Sequence, residues 1–239
     1  MFAVVDVEAR DFDSARILAR RQTRTVIDLV NFFYDLAPYN HGWLYFPSEA
    51  ARVADVMPAR EAGGTLHVSY RTEGPPTPFS LKELRKARWT LRRLQAVGRL
   101  HRVAKAKSAG EVLLTGLQSA GRASVDPRRE QSFLLFAIAL EAAVLPLQHP
   151  EQTYRLSTRV AGLLGRNRLE RTQIRQSVAE LYDVRSRIVH SGSYEVTEAD
   201  LGRLRSLAKE TLLRLVARPT TWTLSVKELD EWLQTQADR

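Results

Sequence analysis

The chain contains no cysteine among its 239 residues. This absence excludes disulfide bonds, zinc sites built from thiolates, and a cysteine nucleophile. A chain without cysteine suits a reducing compartment, and we therefore predict a cytoplasmic protein.

Long apolar runs are also scarce. The longest one covers residues 133–147 and includes Glu141. A transmembrane helix needs about 20 predominantly apolar residues, so this run predicts a helix of a protein core. Residues 1–6 lack the basic stretch and the long apolar segment of a signal peptide. We expect no association with a membrane.

Motifs that hold metals or nucleotide cofactors are missing as well. The sequence has no zinc-binding, P-loop, Rossmann or nucleophile-elbow pattern. One acidic group near the N-terminus has no matching partner, and we assign it to strand ends and helix capping: Asp6, Glu8, Asp11 and Asp13. We therefore predict a function that needs no metal ion and no cofactor.

Acidic residues are few in one segment of an otherwise mixed chain. The formal net charge is +9, and residues 80–126 carry 11 basic and 3 acidic side chains. A concentrated positive charge favours a polyanionic partner. Ser80 and Glu83 form the capping box of a basic helix, whose predicted RNA-binding residues are Arg85, Lys86, Arg88, Arg92 and Arg93. A solvated helix face and an acidic partner protein are the alternatives.

The chain divides at its most proline-rich stretch, residues 73–78. We predict a small α+β domain over residues 1–74, a helical domain over residues 79–218, and a helical extension over residues 219–239. The first domain combines short strands, predicted at residues 2–8, 43–46 and 66–70, with a helix that Asp11 or Asp13 caps. The predicted apolar stripe of this helix comprises Ala15, Leu18 or Ala19, Val26, Val30 and Phe33. The helical domain contains a basic helix and four further helices, predicted near residues 126–144, 154–165, 169–190 and 197–218. Asp126 and Thr197 are the predicted caps of the first and the last of these four, and Ser225 with Glu228 predicts a capping box in the extension. The chain is thus expected to be mostly α.

One helix carries charged residues that packing alone does not explain. Ile174, Val178, Leu181, Arg185 and Ile188 recur at steps of three or four, which places them on one helix face. An arginine on a buried face needs an anion. Glu141 in the preceding apolar helix likewise needs a cation, and the candidates are Arg185 and Arg159. His190 follows Arg185 by five residues, just before a predicted stop at Ser191-Gly192.

An arginine and a histidine suffice for RNA cleavage without a metal. Histidine can move the proton of a 2′-hydroxyl, and arginine can hold the phosphorane. On a continuous helix, however, a five-residue step turns by about 140° and rises by about 7.5 Å. Either the helix unwinds at its end, or two protomers pair their helices about a two-fold axis. Alternatively, Arg185 pairs with a carboxylate and His190 caps the helix C-terminus.

Three ordered landmarks carry a family resemblance. Arg185 and His190 fit the pattern R-x(4–6)-H, and a helix with Phe136-Ala137-Ile138-Ala139-Leu140-Glu141 precedes them. A further helix over residues 154–165 lies between the two. From about residue 81 to 218, the chain resembles the HEPN superfamily, in particular its Apea-like branch. This resemblance implies an antiparallel helical bundle and a composite site at a dimer cleft, with both arginines and both histidines.

The resemblance and the residue patterns together predict a set of site residues and an assembly. The catalytic group is Arg185, His190 and Ser186; Arg187 joins the RNA-binding residues, and the supporting residues are Glu141, Arg159 and Tyr182. We expect a homodimer or another even-numbered assembly. Its interface is predicted to include Tyr182, Ser186 and Val189.

Three interpretations of function compete. The first is a metal-independent endoribonuclease that cleaves single-stranded RNA, acting as a toxic effector in antiviral defence with a possible partner protein of a defence system. The second is a non-catalytic HEPN module that binds RNA or a protein, because Ser186 stands where catalytic relatives often carry Asn, Asp or His. The third is the toxin of a toxin–antitoxin pair. Such toxins carry His-x-Tyr, whereas Tyr194 lies four residues after His190.

Overall fold

The computed structural model describes residues 8–34, 53–56, 60–62, 65–67, 70–72, 88–147, 151–191 and 195–238. Several predicted features lie outside these residues. They are the first strand, the strand near residues 43–46, the proline-rich boundary, the capping box of Ser80 and Glu83, and the side chains of Arg85 and Lys86. The stop at Gly192 and Tyr194 lie outside them too.

The described chain is mostly helical, as predicted. Its elements in order are α1 (Phe12–Tyr34), β1 (Val53–Val56), β2 (Arg60–Ala62), β3 (Thr65–His67), β4 (Tyr70–Thr72), α2 (Arg88–Val103), α3 (Ala109–Ala123), α4 (Arg129–Val144), α5 (Gln152–Leu164), α6 (Arg168–Ser191), α7 (Glu198–Val216), a 3₁₀ turn (Pro219–Thr221) and α8 (Val226–Ala237). The short strands form two antiparallel pairs, β1 with β4 and β2 with β3. No helix within the described residues is long and apolar enough to cross a membrane.

Helices α3 and α4 form the centre of the bundle. Helix α3 packs on α4, and α7 covers both. Leu117, Phe136 and Leu212 come from these three helices, and each is at most 1% exposed. A side chain at Gly116 would meet the carbonyl oxygen of Ala139 at 3.1 Å and Leu212 Cδ2 at 2.9 Å. Glycine therefore allows the three helices to approach this closely.

The first helix belongs to the same core. Asp11 begins it by accepting the backbone N–H of Ser14 at 2.8 Å, which confirms one of the two predicted caps. Leu29, Phe32 and Phe33 are buried in the core of the bundle. The predicted N-terminal domain includes α1, but the contacts of this helix are with α3 and α2. The boundary near residue 74 itself stays a prediction.

The apolar pattern of α1 explains this difference. The predicted buried stripe included Val26, which is 52% exposed. The buried edge instead includes Asp28, whose carboxylate pairs with Arg122 of α3 at 2.8 Å. At Gly121 a Cβ would lie only 1.9 Å from the Asp28 carbonyl oxygen. Polar and glycine positions thus form a helix contact that an apolar stripe does not reveal.

Two further helix starts can be compared with the sequence. Helix α4 begins at Arg129, three residues after the predicted cap at Asp126. The Asp126 carboxylate accepts the backbone N–H of Arg128 at 2.9 Å, so it orders the turn before the helix. Thr197 caps α7 by accepting the N–H of Asp200, as predicted.

The C-terminal helix α8 docks on α5. Ser225 and Glu228 form the predicted capping box, with Ser225 N–H to Glu228 Oε2 at 2.7 Å. A Cβ at Gly162 would meet the Gln236 carbonyl oxygen at 2.2 Å, so α5 and α8 touch at their backbones. The predicted extension is therefore packed against the bundle.

Candidate functional site

Helix α6 carries the residues that the sequence singled out. It spans Arg168–Ser191 and packs mainly on α5. Val178, Leu181 and Ile188 are buried, which confirms the predicted face. Arg185 lies at the edge of this face with its side chain 31% exposed. The helix therefore holds an arginine at the boundary between core and solvent.

Arg185, Glu141 and Tyr182 form one cluster across α4 and α6. Arg185 Nε lies 2.9 Å from Glu141 Oε1, and Nη2 lies 3.5 Å from Oε2. The Tyr182 hydroxyl donates a short hydrogen bond to Glu141 Oε1. The Arg185 guanidinium also lies over the Tyr182 ring, with Cζ 5.3 Å from the centroid. In this Glu141–Tyr182–Arg185 cluster, Arg185 is thus the cation that pairs with Glu141.

The protonation of Tyr182 follows from its position. Burial, and then the hydrogen bond to the Glu141 carboxylate, raise the pKa of Tyr182 well above its usual range. An ionised phenol beside a carboxylate would place two negative charges together. Tyr182 therefore remains a hydrogen-bond donor at neutral pH and does not serve there as a base.

Arg159, the second candidate partner of Glu141, binds elsewhere. Its guanidinium is fully buried and pairs with Asp230 of α8 at 2.7 Å and 3.1 Å. Its Nη1 also donates to the Val144 carbonyl oxygen at the end of α4, at 2.9 Å. Arg159 therefore connects α5, α8 and α4 within the bundle.

His190 is exposed near the end of α6, which remains helical through Ser191. The helix does not unwind before the histidine, so the angular separation of about 140° from Arg185 holds. Ser186 and Val189 lie on the flank between the two residues and are exposed, Val189 by 53%. One chain therefore presents Arg185 and His190 in different directions.

The other predicted RNA-binding residues lie on two helices. Arg187 is exposed on α6, and its Nε donates to the Asp183 carbonyl oxygen at 3.4 Å. Its charge also helps to hold the pKa of Asp200 below the usual value, after the hydrogen bonds from Thr197 and Arg203. Arg92 is exposed on α2, which also contains Arg88 and Arg93.

A group of arginines at the other end of α6 was not predicted from the sequence. Arg166, Arg168, Arg171 and Arg175 line a cavity of about 380 Å³. The signal was present, because positions 168, 171 and 175 share one face of a helix. Within the described residues, no group of histidine, aspartate and glutamate side chains is arranged to hold a metal ion.

Comparison with known proteins identifies no relative. No family model matches the chain, and neither a curated protein nor a solved structure matches it. The resemblance to HEPN proteins therefore depends on the landmarks in the sequence.

Proposed function

We propose that the protein is a metal-independent endoribonuclease of HEPN type that cleaves single-stranded RNA. The observation that carries the proposal is the position of Arg185. Glu141 and Tyr182 hold it at the surface of the bundle, on the same helix end as the exposed His190. Four short strands between residues 53 and 72 would belong to a small N-terminal α+β portion beside an HEPN-like bundle.

The cluster suits a phosphate-binding role for Arg185. A guanidinium has five N–H donors. Glu141 engages one on Nε and one on Nη2, and the others remain for phosphate oxygens. A carboxylate that fixes the guanidinium reduces the entropy lost when the phosphate binds. Arg185 would stabilise the charge that develops on the phosphorane.

His190 supplies the proton chemistry. A neutral imidazole takes the proton from a 2′-hydroxyl, whose oxygen attacks the adjacent phosphorus. The bond from phosphorus to the 5′-oxygen breaks, and a protonated imidazole gives its proton to that oxygen. The products are a 2′,3′-cyclic phosphate and a 5′-hydroxyl. DNA lacks the attacking group, so the reaction is selective for RNA.

Two copies of the chain provide both residues to one phosphate. Because α6 is continuous through His190, Arg185 of one protomer would work with His190 of the other. The exposed Val189 beside Ser186 offers apolar surface for such a pairing. In this arrangement Ser186 would lie within the cleft and could donate to the RNA. We place this homodimer in the cytoplasm, as a toxic effector of antiviral defence that a defence-system protein could accompany.

The experiment that tests the proposal is cleavage of a labelled single-stranded RNA by the purified chain. Wild type should cleave in EDTA and leave 2′,3′-cyclic phosphate ends, whereas R185A and H190A should each lose cleavage by at least about a hundredfold. R214A is the matched control, because Arg214 is an exposed arginine on α7. Full activity of R185A and H190A would overturn the proposal.

One observation favours a second candidate, a non-catalytic module that binds RNA or a protein. Glu141 already neutralises Arg185, while His190 faces solvent as a helix C-terminal residue would. Such a module would leave RNA intact yet bind it. Expression in a host separates the two, because an active ribonuclease would limit growth with wild type and not with H190A.

A further inference from the structure

Helix α1 carries apolar residues at the spacing of a helix–helix seam. Starting at its first residue, intervals of three and four residues alternate along the helix, and six of the seven positions are apolar. This set, the α1 seam, comprises Phe12, Ala15, Ala19, Gln22, Val26, Leu29 and Phe33. A spacing that averages 3.5 residues keeps one side of a helix facing a partner helix.

The bundle covers only one end of the α1 seam. Leu29 and Phe33 are buried, at 8% and 0% exposure. Phe12 and Val26 are 56% and 52% exposed, and Gln22 is exposed as well. Within the part of the chain that the structure describes, the seam is therefore buried at its C-terminal end and accessible between Phe12 and Val26. Clustered apolar residues on a surface are typical of an interaction site.

Arginines flank the accessible part of the seam on one side. Arg16 and Arg20 are exposed and four residues apart, so they lie on one side of the helix. Each directly follows a seam position, which places it about 100° to one side of the seam. Arg16 lies 3.5 Å from Asp13, but both side chains are at least 64% exposed, and such exposed pairs contribute little. Residues 14–27 carry four arginines and no acidic residue.

Charge and side-chain size distinguish the possible occupants of the seam. A second copy of the chain would bring its own four arginines against the first four, and like charges repel. A lipid surface is bound through large apolar area, whereas Ala15, Ala19 and Gln22 provide little of it. Small side chains instead suit a second helix, because the side chains at a contact set the distance between two helix axes.

We propose that the α1 seam binds an amphipathic helix of a partner protein, whose apolar stripe is flanked by acidic residues. The apolar stripe of the partner covers the seam from Phe12 to Val26, and its carboxylates pair with Arg16 and Arg20. Apolar anchors at steps of three and four are a common mode of helix recognition. Charges beside such a seam determine which partner binds and in which orientation.

Partner binding at α1 does not rest on the ribonuclease proposal. Arg185 and His190 belong to α6, whereas the α1 seam and its flanking arginines belong to the first helix of the described chain. A binding measurement therefore tests the α1 seam without any assay of RNA cleavage.

The experiment is fluorescence anisotropy of a labelled synthetic peptide titrated with the full chain. The peptide is a heptad repeat with leucine at its seam positions and glutamate at the flanking positions. A second peptide carries lysine in place of every glutamate. The glutamate peptide should bind wild type, and the lysine peptide should not, because its charge has the same sign as that of the arginines. Absence of binding by the glutamate peptide, or equal binding of the two peptides, would overturn the proposal.

Variants with matched controls test the residues of the surface. V26Q changes the seam, and its control is I17Q, because Ile17 is 63% exposed but lies about 180° from Val26 around the helix. R16E/R20E reverses the flanking charges, and its control R175E/R214E reverses two exposed arginines on α6 and α7. Circular dichroism establishes that each variant is folded. V26Q and R16E/R20E should each weaken binding of the glutamate peptide by about tenfold or more, while both controls bind as wild type does. Unchanged binding by V26Q would overturn the proposal.

Thiol labelling tests whether the protein itself covers the seam. Because the chain has no cysteine, V26C and I17C each carry a single thiol. Both should react with a maleimide at similar rates, and the glutamate peptide should protect only V26C. Slow reaction of V26C without the peptide would show that the seam is already covered and would overturn the proposal. A changed sedimentation coefficient of V26Q would assign the seam to a second copy instead, and binding of wild type but not V26Q to phosphatidylglycerol vesicles would assign it to lipid.

Discussion

Glu141 of α4 and Arg185 of α6 form an ion pair of 2.9 Å, although 44 residues separate them in the chain. Both side chains are about one quarter to one third exposed, so the pair belongs neither to the core nor to the open surface. The Tyr182 hydroxyl shares the same carboxylate. The pair joins two helices and orients the arginine.

The first prediction concerns the coupling between these two residues. E141Q and R185A should each lower the free energy of unfolding by about 1–2 kcal/mol, between the values for exposed and buried pairs. The double variant E141Q/R185A should lose less free energy of unfolding than the two single variants lose together, because either substitution already removes the ion pair. Urea unfolding of all four proteins measures the coupling. Strict additivity would show that the contact contributes no coupling energy.

The second prediction concerns pH and Tyr182. Its pKa is raised in the folded state, so above the ordinary tyrosine value of about 10 the unfolded chain loses this proton first. Stability contributed by the protonated phenol is therefore complete below that pH and declines as pH rises. Y182F should be less stable than wild type at neutral pH. Between neutral and alkaline pH, it should lose less stability than wild type does.

The control for this prediction is Y154F, because Tyr154 is 65% exposed. Melting temperatures at a series of pH values up to about 11 would compare the three proteins. Y154F should follow wild type. Parallel curves for Y182F and wild type would contradict the raised pKa.

The third prediction concerns the buried pair of Arg159 and Asp230. R159M should remove the buried guanidinium that pairs with Asp230 and destabilise the chain by about 3–5 kcal/mol. The double variant R159M/D230L should recover much of that loss, since no isolated charge remains. Chemical denaturation tests both. Equal stability of R159M and wild type would show that the pair is not needed to hold α8 on α5.

The fourth prediction concerns the basic helix. Reversing Arg85, Lys86, Arg92 and Arg93 to glutamate should weaken RNA binding and reduce its salt dependence. For a single strand, each lost phosphate contact lowers the slope of log K against log salt by about 0.7. Binding of a labelled 2′-O-methyl RNA, which lacks the attacking hydroxyl and stays intact, measures the slope over a range of salt concentrations. An unchanged slope would place the RNA on another surface.

Much of the helical fold could be predicted because apolar spacing and caps are local. The bounds of α6, the Thr197 cap and the capping box of Ser225 follow from residues within one or two turns. The docking of α1 could not be predicted, because it depends on the close approach of two helix backbones at Gly121 and Asp28. A Cβ at position 121 would collide with the Asp28 carbonyl group. Such contacts between distant residues leave no periodic pattern in the sequence.

The candidate site, too, could be predicted only in part from the sequence. A need for a partner at Glu141 was evident from its apolar surroundings, but Arg185 and Arg159 were equal candidates by sequence. Only packing distinguishes them, because α8 brings Asp230 to Arg159. The arginine cavity was missed for a related reason. Its arginines on α6 share a face, but other lining residues come from α5 and from α8, which follows much later in the chain.

The composite site is the central claim, and complementation between two inactive variants tests it most directly. R185A and H190A, each inactive alone, would be mixed, allowed to exchange subunits, and assayed on single-stranded RNA. In a two-fold dimer, one of the two positions in a mixed pair regains both an intact Arg185 and an intact His190. The mixture should therefore recover a measurable part of wild-type cleavage, together with a dimer in sedimentation. Cleavage by a wild-type chain that stays strictly monomeric at the lowest usable concentration, with no recovery in the mixture, would contradict the account.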